Sequence, residues 1–240
     1  MKIYAATDIG MSRELNEDYL FASMEPVGNL PGLFIVADGM GGHASGEFAS
    51  KFTVEEMVAS LSGNALTDAA ELLTEAVHAA NRRLIGYAAE HPSMSGMGTT
   101  VVAAAVYENR LCAANVGDSR LYIAGDSMRQ ITEDHSLVQQ MVRLGEISQK
   151  EARVHPDKNI ITRAVGADPD LLVDIFEEEI RPGDIILLCS DGLTNMVEDA
   201  ALYEVLKGSD AELSVKGQHL IGLANENGGR DNITLILIEI

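Results

Sequence analysis

Residues 100–124 read TVVAAAVYENRLCAANVGDSRLYIA, three apolar runs separated only by ENR and VGDS. Such connections are too short to hold a crossover helix, so the three runs are expected to pair as antiparallel strands. On either side, apolar or alternating runs at Ile3–Thr7, Asp18–Ala22, Leu33–Ala37, Leu171–Phe176, Asp184–Cys189 and Asn232–Ile240 also read as strands. Helical periodicity occupies Glu47–Leu61, Ala65–Glu90, Ser136–Leu144, Ala200–Leu206 and Ala211–Glu226. In the second of these, Ala69, Leu72, Leu73, Ala76, Val77, Ala80 and Leu84 form one apolar face, and Thr67-Asp68 supplies a start signal. The helices fall between groups of strands instead of following every strand. The class is therefore α+β, not a doubly wound α/β sheet. Several strands are apolar on both faces, which calls for sheets packed together with helices outside.

The chain has 240 residues, 46% of them hydrophobic, with 17 Lys and Arg against 37 Asp and Glu, for a formal charge of −20. A sizeable core is available. A field of that sign repels nucleic-acid backbones, and the sequence has no run of Lys or Arg to offset it. Solubility accounts for most of the acidity. Apolar runs such as Val101–Tyr107 fall far short of the roughly 18 residues a membrane span needs. Met1–Gly10 carries one Lys and no apolar segment of signal-peptide type. A cytoplasmic protein is expected, with Cys112 and Cys189 as buried thiols inside apolar runs. No linker or repeat divides the chain, so one domain over 1–240 is expected. The polar stretch Gly145–Gly166, GEISQKEARVHPDKNIITRAVG, reads as a short helix plus an exposed excursion, a candidate flap.

One pattern recurs at strand ends. Apolar runs close on an acid followed by a small residue at Asp38-Gly39, Asp118-Ser119 and Asp191-Gly192, and acids precede strands at Asp18 and Asp231. Each alone is ordinary turn chemistry. Together they suggest a carboxylate cluster, and glycine beside an acid frees the backbone carbonyl to act as a further oxygen ligand. All-oxygen sites suit Mg²⁺, Mn²⁺ or Ca²⁺. The six histidines, at 43, 78, 91, 135, 155 and 219, lack zinc-site spacing, and no EF-hand loop is present. The Gly41…Gly46 spacing is followed by Glu47, not the Lys of a phosphate-binding loop. Gly39-Met40-Gly41-Gly42-His43-Ala44 fits a dinucleotide fingerprint. Against that reading, Asp38 would set a negative charge beside the pyrophosphate, and the next element is a second helix where a parallel strand is required.

The blocks SRELNEDYLF (12–21), FIVADGMGGHASGEFAS (34–50), GMGTTVVAAAV (96–106), ANVGDSRLYI (114–123), ITEDHSLV (131–138), GDIILLCSDGLTN (183–195) and GGRDNITLILI (228–238) together resemble the metal-dependent protein phosphatases of the PPM or type-2C family. Within that family they are most similar to its compact bacterial Ser/Thr members. The resemblance implies a four-layer αββα sandwich and a centre of two Mn²⁺ or Mg²⁺ ions. It implies that Asp38 bridges both metals, that the Gly39 carbonyl ligates one, and that Asp191 and Asp231 ligate the other. Asp18 would act through a bound water, and Asp118 with Asp191 would hold a weaker third ion. Two ions about 3.5–4 Å apart activate a water for in-line attack on phosphorus, with no phosphoenzyme. Arg13 matches the family's phosphate-binding arginine, whose fork can hold two phosphate oxygens; taken without the resemblance it reads as a solvated surface residue. Eukaryotic members carry a His directly after the Asp-Gly of the second block, where this chain has Met40. His43 is then a candidate acid for the leaving alkoxide, with loop packing as its other reading and a metal-bound water as an alternative acid.

The expected substrates are phosphoserine and phosphothreonine proteins, with a cognate Ser/Thr kinase as partner and a monomer as the working state. Arg153, His155, Lys158 and Arg163 of the flap read either as balancing local acids or as meeting an acidic partner. One rival is a phosphatase dedicated to a single regulator, though the sensor domains usual there are missing. Another is a silent binding module of the same fold, which the complete set of acids opposes.

Overall fold

The computed structural model describes residues 1–42 and 45–240. Its strands are β1 (Lys2–Asp8), β2 (Asp18–Ser23), β3 (Leu33–Met40), β4 (Gly98–Thr99), β5 (Val101–Tyr107), β6 (Arg110–Val116), β7 (Arg120–Ala124), β8 (Met128–Gln130), β9 (Asp174–Glu179), β10 (Ile185–Cys189) and β11 (Ile233–Glu239). Its helices are α1 (Ser45–Leu61), α2 (Ala69–Glu90), α3 (Leu137–Arg143), α4 (Gln149–Val154), α5 (Asp191–Thr194), α6 (Asp199–Lys207) and α7 (Leu213–Glu226). One sheet runs β1-β11-β10-β7-β8 and the other β2-β3-β5-β6-β9, with β4 attached to β3. All of these strand pairs are antiparallel.

Three apolar clusters explain why strands in this chain are hydrophobic on both faces. Phe34, Val36, Val102, Ala104, Leu188 and Ile236 meet between the sheets. Their strand neighbours Ile35, Val101, Ala103 and Cys112 point the other way and pack under Leu72, Leu73 and Val77 of α2. On the opposite side Leu187, Cys189 and Leu235 meet Leu202, Leu206 and Leu220 of α6 and α7. The alternation of side chains along a strand thus feeds two cores at once. The result is the expected α+β sandwich with helices outside.

Several expectations need correction. Residues 100–124 do not form one antiparallel meander. β5 and β6 pair through a tight hairpin whose Glu108 has φ 52°, but β7 belongs to the other sheet, between β10 and β8. The chain turns a corner at Gly117, with φ +105° and the Thr100 side chain so close that a Cβ there would collide with it. The last strand before β10 lies at Asp174–Glu179, three residues later than its apolar pattern suggested. Leu171 is buried in the α-side core without joining the ladder, while the acidic DIFEEE segment forms the sheet edge, where charge blocks further pairing. The short strands β4 and β8 and the single-turn helix α5 carry too few residues to show a period. Helix α2 starts at Ala69, where Asp68 accepts a hydrogen bond from the Glu71 N–H, 3.0 Å, as an N-cap.

Within 145–166 a capping box at Ser148 and Glu151 starts α4, and Ser136–Ile161 bridging ties the end of the excursion back to the start of α3. Gly217 brings α7 flat against β1, where any Cβ would strike the Tyr4 ring. Replacing Gly217 by Val is expected to cost about 2–3 kcal/mol through overpacking. For a chain of this size that lowers Tm by roughly 5–10 °C in scanning calorimetry. An unchanged Tm would show that α7 can slide off β1.

Candidate metal centre

Antiparallel order sends the end of one strand and the start of its neighbour to the same edge of a sheet. Asp18 opens β2 and stands in register with Asp38 near the end of β3. Asp118 occupies the corner between β6 and β7. Asp191 follows β10 as the first residue of α5, and Asp231 lies two residues before β11. All five acids therefore gather at one end of the sandwich. A cleft of about 300 Å³ there is lined by Arg13, Glu17, Asp38, Gly39, Met40, Gly41, Thr100, Asp118, Asn159, Ile161, Asp191 and Asp231. Asp18 sits behind it, buried, with Oδ2 accepting from Ser190 Oγ at 2.7 Å.

The backbone fixes the acids tightly. Asp38 N–H donates to Thr100 Oγ1 at 3.0 Å, and its carbonyl accepts from the Thr100 N–H and the Thr99 hydroxyl, both at 2.9 Å. Gly39 is wedged between the carbonyls of Gly46 and Glu17, with no room for a side chain. Asn195 Nδ2 donates to Asp191 Oδ2 at 2.8 Å. Asp231 accepts from the Asn232 N–H at 2.9 Å on one oxygen and from Arg13 at 2.8 Å on the other.

Burial and mutual repulsion weaken the acidity of this group. Burial, then the charges of Asp18, Asp191, Asp118 and Asp231, holds Asp38 well above the ordinary carboxylate range. Burial followed by Asp191 does the same to Asp118. Burial, partly offset by the Ser190 hydrogen bond, pushes Asp18 to about 7, and burial with the charge of Asp231 pushes Asp191 to about 6. Burial also raises Glu17. The Asp231 hydrogen bond raises Arg13, which keeps its charge.

These residues fit divalent cations. Asp18 Oδ1 and Glu17 Oε1 are buried without a hydrogen-bond partner among the described residues, and the donor set is all oxygen. Among the described residues no three acidic, His or Cys side chains close on a single point. A set spread around a cleft suits ions that retain several of their own waters.

Of the residues singled out in the sequence, Arg13, Asp38, Gly39, Asp118, Asp191 and Asp231 line this cleft and Asp18 lies behind it; His43 lies outside the described residues. The sequence reading missed Glu17, although an acid pair before a strand was visible in NED, and it missed Thr99, Thr100 and Ser190, whose roles depend on the sheet register. It gave no role to Asn159 and Ile161, which reach the cleft from 145–166. The cations of 145–166 turn inward: Arg153 donates to the Thr194 carbonyl, Lys158 to Asn195 Oδ1 and Arg163 to Asp174. A larger cleft of about 670 Å³ opens at the opposite end of the sandwich, where Arg129, Arg181 and Lys207 are balanced by Asp126, Glu179 and Asp184. It holds none of Asp18, Asp38, Asp118, Asp191 and Asp231, so its size does not make it the reactive site.

An antiparallel sandwich with a carboxylate cleft at one end and a single arginine on its rim defines a class of metal-dependent phosphohydrolases. Residues 11–212 match the protein phosphatase 2C family, and the chain belongs to it, as a metal-dependent phosphoprotein phosphatase. It is 44% identical over 242 residues to the serine/threonine phosphatase Stp of Listeria innocua, covering 97% of this chain and 93% of that protein. The serine/threonine phosphatase of S. agalactiae superposes with a TM-score of 0.91 at 36% identity, over 100% of this chain and 99% of the other. The catalytic domain of the phosphatase PstP in complex with two manganese ions gives 0.87 at 34% identity, over 99% and 97% of the two chains. Among the described residues no helix is long and apolar enough to cross a membrane.

Raised carboxyl groups make metal-free stability depend on pH with a definite sign. The unfolded chain titrates near pH 4, whereas Asp18 and Asp191 in the fold titrate near 7 and 6. Their contribution is intact below the unfolded value and is lost as pH rises through 6 to 7. In EDTA, Tm is expected to fall between pH 5 and pH 8, and Asp18→Asn is expected to flatten that fall. A Tm that rises over this interval in the unsubstituted protein would contradict the charge crowding.

Proposed function

We propose that this phosphatase hydrolyses phosphoserine and phosphothreonine in proteins by direct attack of water, using two Mn²⁺ or Mg²⁺ ions. Asp38, the Gly39 carbonyl, Asp191 and Asp231 would hold the pair, with Asp18 acting through water and Asp118 with Asp191 receiving a weaker third ion. When bound, the pair supplies an acidified water and neutralises charge on the phosphoryl oxygens. The observation that carries this reading is the gathering of the strand-end carboxylates with Arg13 around one cleft.

Arg13 grips phosphate oxygens through its guanidinium fork. It is oriented for this by Asp231, which leaves its second terminal nitrogen 3.7 Å from Glu17 Oε2 and open to a further acceptor. Asp231 thereby serves both the arginine and the ions. Met40 and Ile161 give the cleft apolar surface beside the acids, and Asn159 offers a neutral polar contact to the substrate chain. His43 is proposed as the acid that protonates the leaving alkoxide, a role that rests on its place in GMGGH.

A thiol nucleophile has no support. Cys112 and Cys189 are buried and neither lines the cleft. Burial pushes Cys112 to about 12 and raises Cys189 further. Thiols held protonated in a core do not attack phosphorus. Residues 145–166 are proposed as the flap of a single domain spanning 1–240, and a Ser/Thr kinase as the source of the substrates. The protein would act as a cytoplasmic monomer.

Asp38→Asn and Asp191→Asn are each expected to lower kcat on a phosphothreonine peptide by on the order of 10²–10³-fold or more while the far-UV spectrum is kept. EDTA should abolish turnover and Mn²⁺ should restore it. Wild-type kcat in either variant would remove the two-ion mechanism. Arg13→Ala should raise KM about tenfold, the loss of one charge-assisted phosphate contact; an unchanged KM would return Arg13 to a surface role.

A further inference from the structure

The segment 9–17 carries Arg13 and Glu17 into the cleft, yet it contains no helix and no strand. Beside Ser50 and the Gly39 N–H, which hold the Glu17 carbonyl, one side chain makes three of the bonds that fix it. Asn232 is buried, with 3% exposure, and its carboxamide is fully used by this segment. Its Nδ2 donates to the Ile9 carbonyl at 3.0 Å and to the Leu15 carbonyl at 2.9 Å, while its Oδ1 accepts from the Glu17 N–H at 2.8 Å. These three bonds bracket Arg13 on both sides. The Asn232 backbone N–H also holds Asp231 Oδ1, whose other oxygen receives Arg13.

A second, independent feature presses the same segment onto the turn before β11. The N–H groups of Met11 and Ser12 both donate to the Gly229 carbonyl, at 2.7 and 3.1 Å. Gly10, with φ +78°, lies so close to the Asp231 and Gly229 carbonyls that no Cβ fits. The backbones meet directly, and Asn232 stands where a sheet ladder would otherwise set the register.

We propose that Asn232 is the positioning residue for phosphate recognition: it locks residues 9–17 so that Arg13 and Asp231 face one phosphoryl group together. This rests on Arg13 being the phosphate contact. Asn232 touches neither substrate nor ion. It acts by removing the freedom of a loop whose arginine would otherwise sample solvent, so its loss reads out as weakened substrate binding with the chemical step preserved.

The test is a double-mutant cycle of Arg13→Ala with Asn232→Ala, using a phosphothreonine peptide at saturating Mn²⁺ and inorganic phosphate as a competing probe. Each single variant is expected to raise KM about tenfold with kcat within about twofold, to weaken phosphate inhibition in parallel, and to add nothing to the other in the double variant. Amide exchange in the metal-free protein supplies a readout that needs no turnover. Asn232→Ala should lose protection at Met11, Ser12 and Glu17, while β10 and the β5–β6 hairpin stay protected.

Asn232→Asp keeps the acceptor for Glu17 but lacks the two donors, and it is expected to follow Asn232→Ala. Additive effects, an unchanged KM, or exchange that rises across the whole of β11 would overturn the proposal in favour of a general stabilising role. So would failure of both variants to fold. An inactive wild-type protein at every Mn²⁺ and Mg²⁺ concentration would instead defeat the phosphatase reading itself.

Discussion

Asp18, Asp38, Asp118, Asp191 and Asp231 crowd one end of two packed sheets, and burial lifts the first four out of the ordinary carboxylate range. Like charges withdrawn from water repel one another strongly, because the interior screens them poorly. A fold can tolerate this only if its backbone holds the acids in place against the repulsion. The antiparallel order of both sheets supplies that rigidity. It converts strands far apart in sequence into neighbouring ends, and the inter-sheet core of Phe34, Val36, Leu188 and Ile236 keeps the two sets of ends at a fixed separation.

Small polar side chains then complete the support. Thr99 and Thr100 take both backbone groups of Asp38, Ser190 takes Asp18, Asn195 takes Asp191, and Asn232 spans from Asp231 to the Arg13 segment. Each is short, so it fixes geometry with little loss of side-chain entropy. Each also comes from a different strand or helix end than the acid it serves, apart from Asn232 and Asn195, which are chain neighbours of theirs. The centre is therefore a property of the assembled sandwich and of no single segment.

That division explains what could be read in advance. Strands with one side in each core, such as β5 and β10, announce themselves by continuous apolar composition, and the acids at their ends are visible as breaks in it. The placement of β7 in the second sheet was not visible, because Val-Gly-Asp-Ser between β6 and β7 looks like a hairpin turn and only the Thr100 contact at Gly117 forces the corner. β9 was displaced for a related reason: its DIFEEE sequence is acidic because it forms an edge, a fact of tertiary position. Glu17, Thr100, Ser190 and Asn232 stayed hidden in the same way. Their types are common in turns, and only the three-dimensional register shows which acid or loop each one holds.

The charge of the whole chain adds a last constraint. At −20 the protein's field opposes any phosphorylated partner. Among the described residues that line the cleft, Arg13 is the one cation, since Arg153, Lys158 and Arg163 are turned toward internal acceptors. Arg13 engaged with Asp231, even with Arg120 and Lys158 acting on Asp118 and Asp191 from beside the cleft, leaves these acids raised and does not offset so many carboxylates. With the proposed ion pair, attraction for a phosphate would then come largely from the cations those carboxylates would hold. Acidity that looks like a barrier to a phosphatase is, on this reasoning, what makes its substrate binding conditional on metal. In the proposed role, the arginine would contribute direction, fixing which way the phosphoryl group faces once the acids have been neutralised.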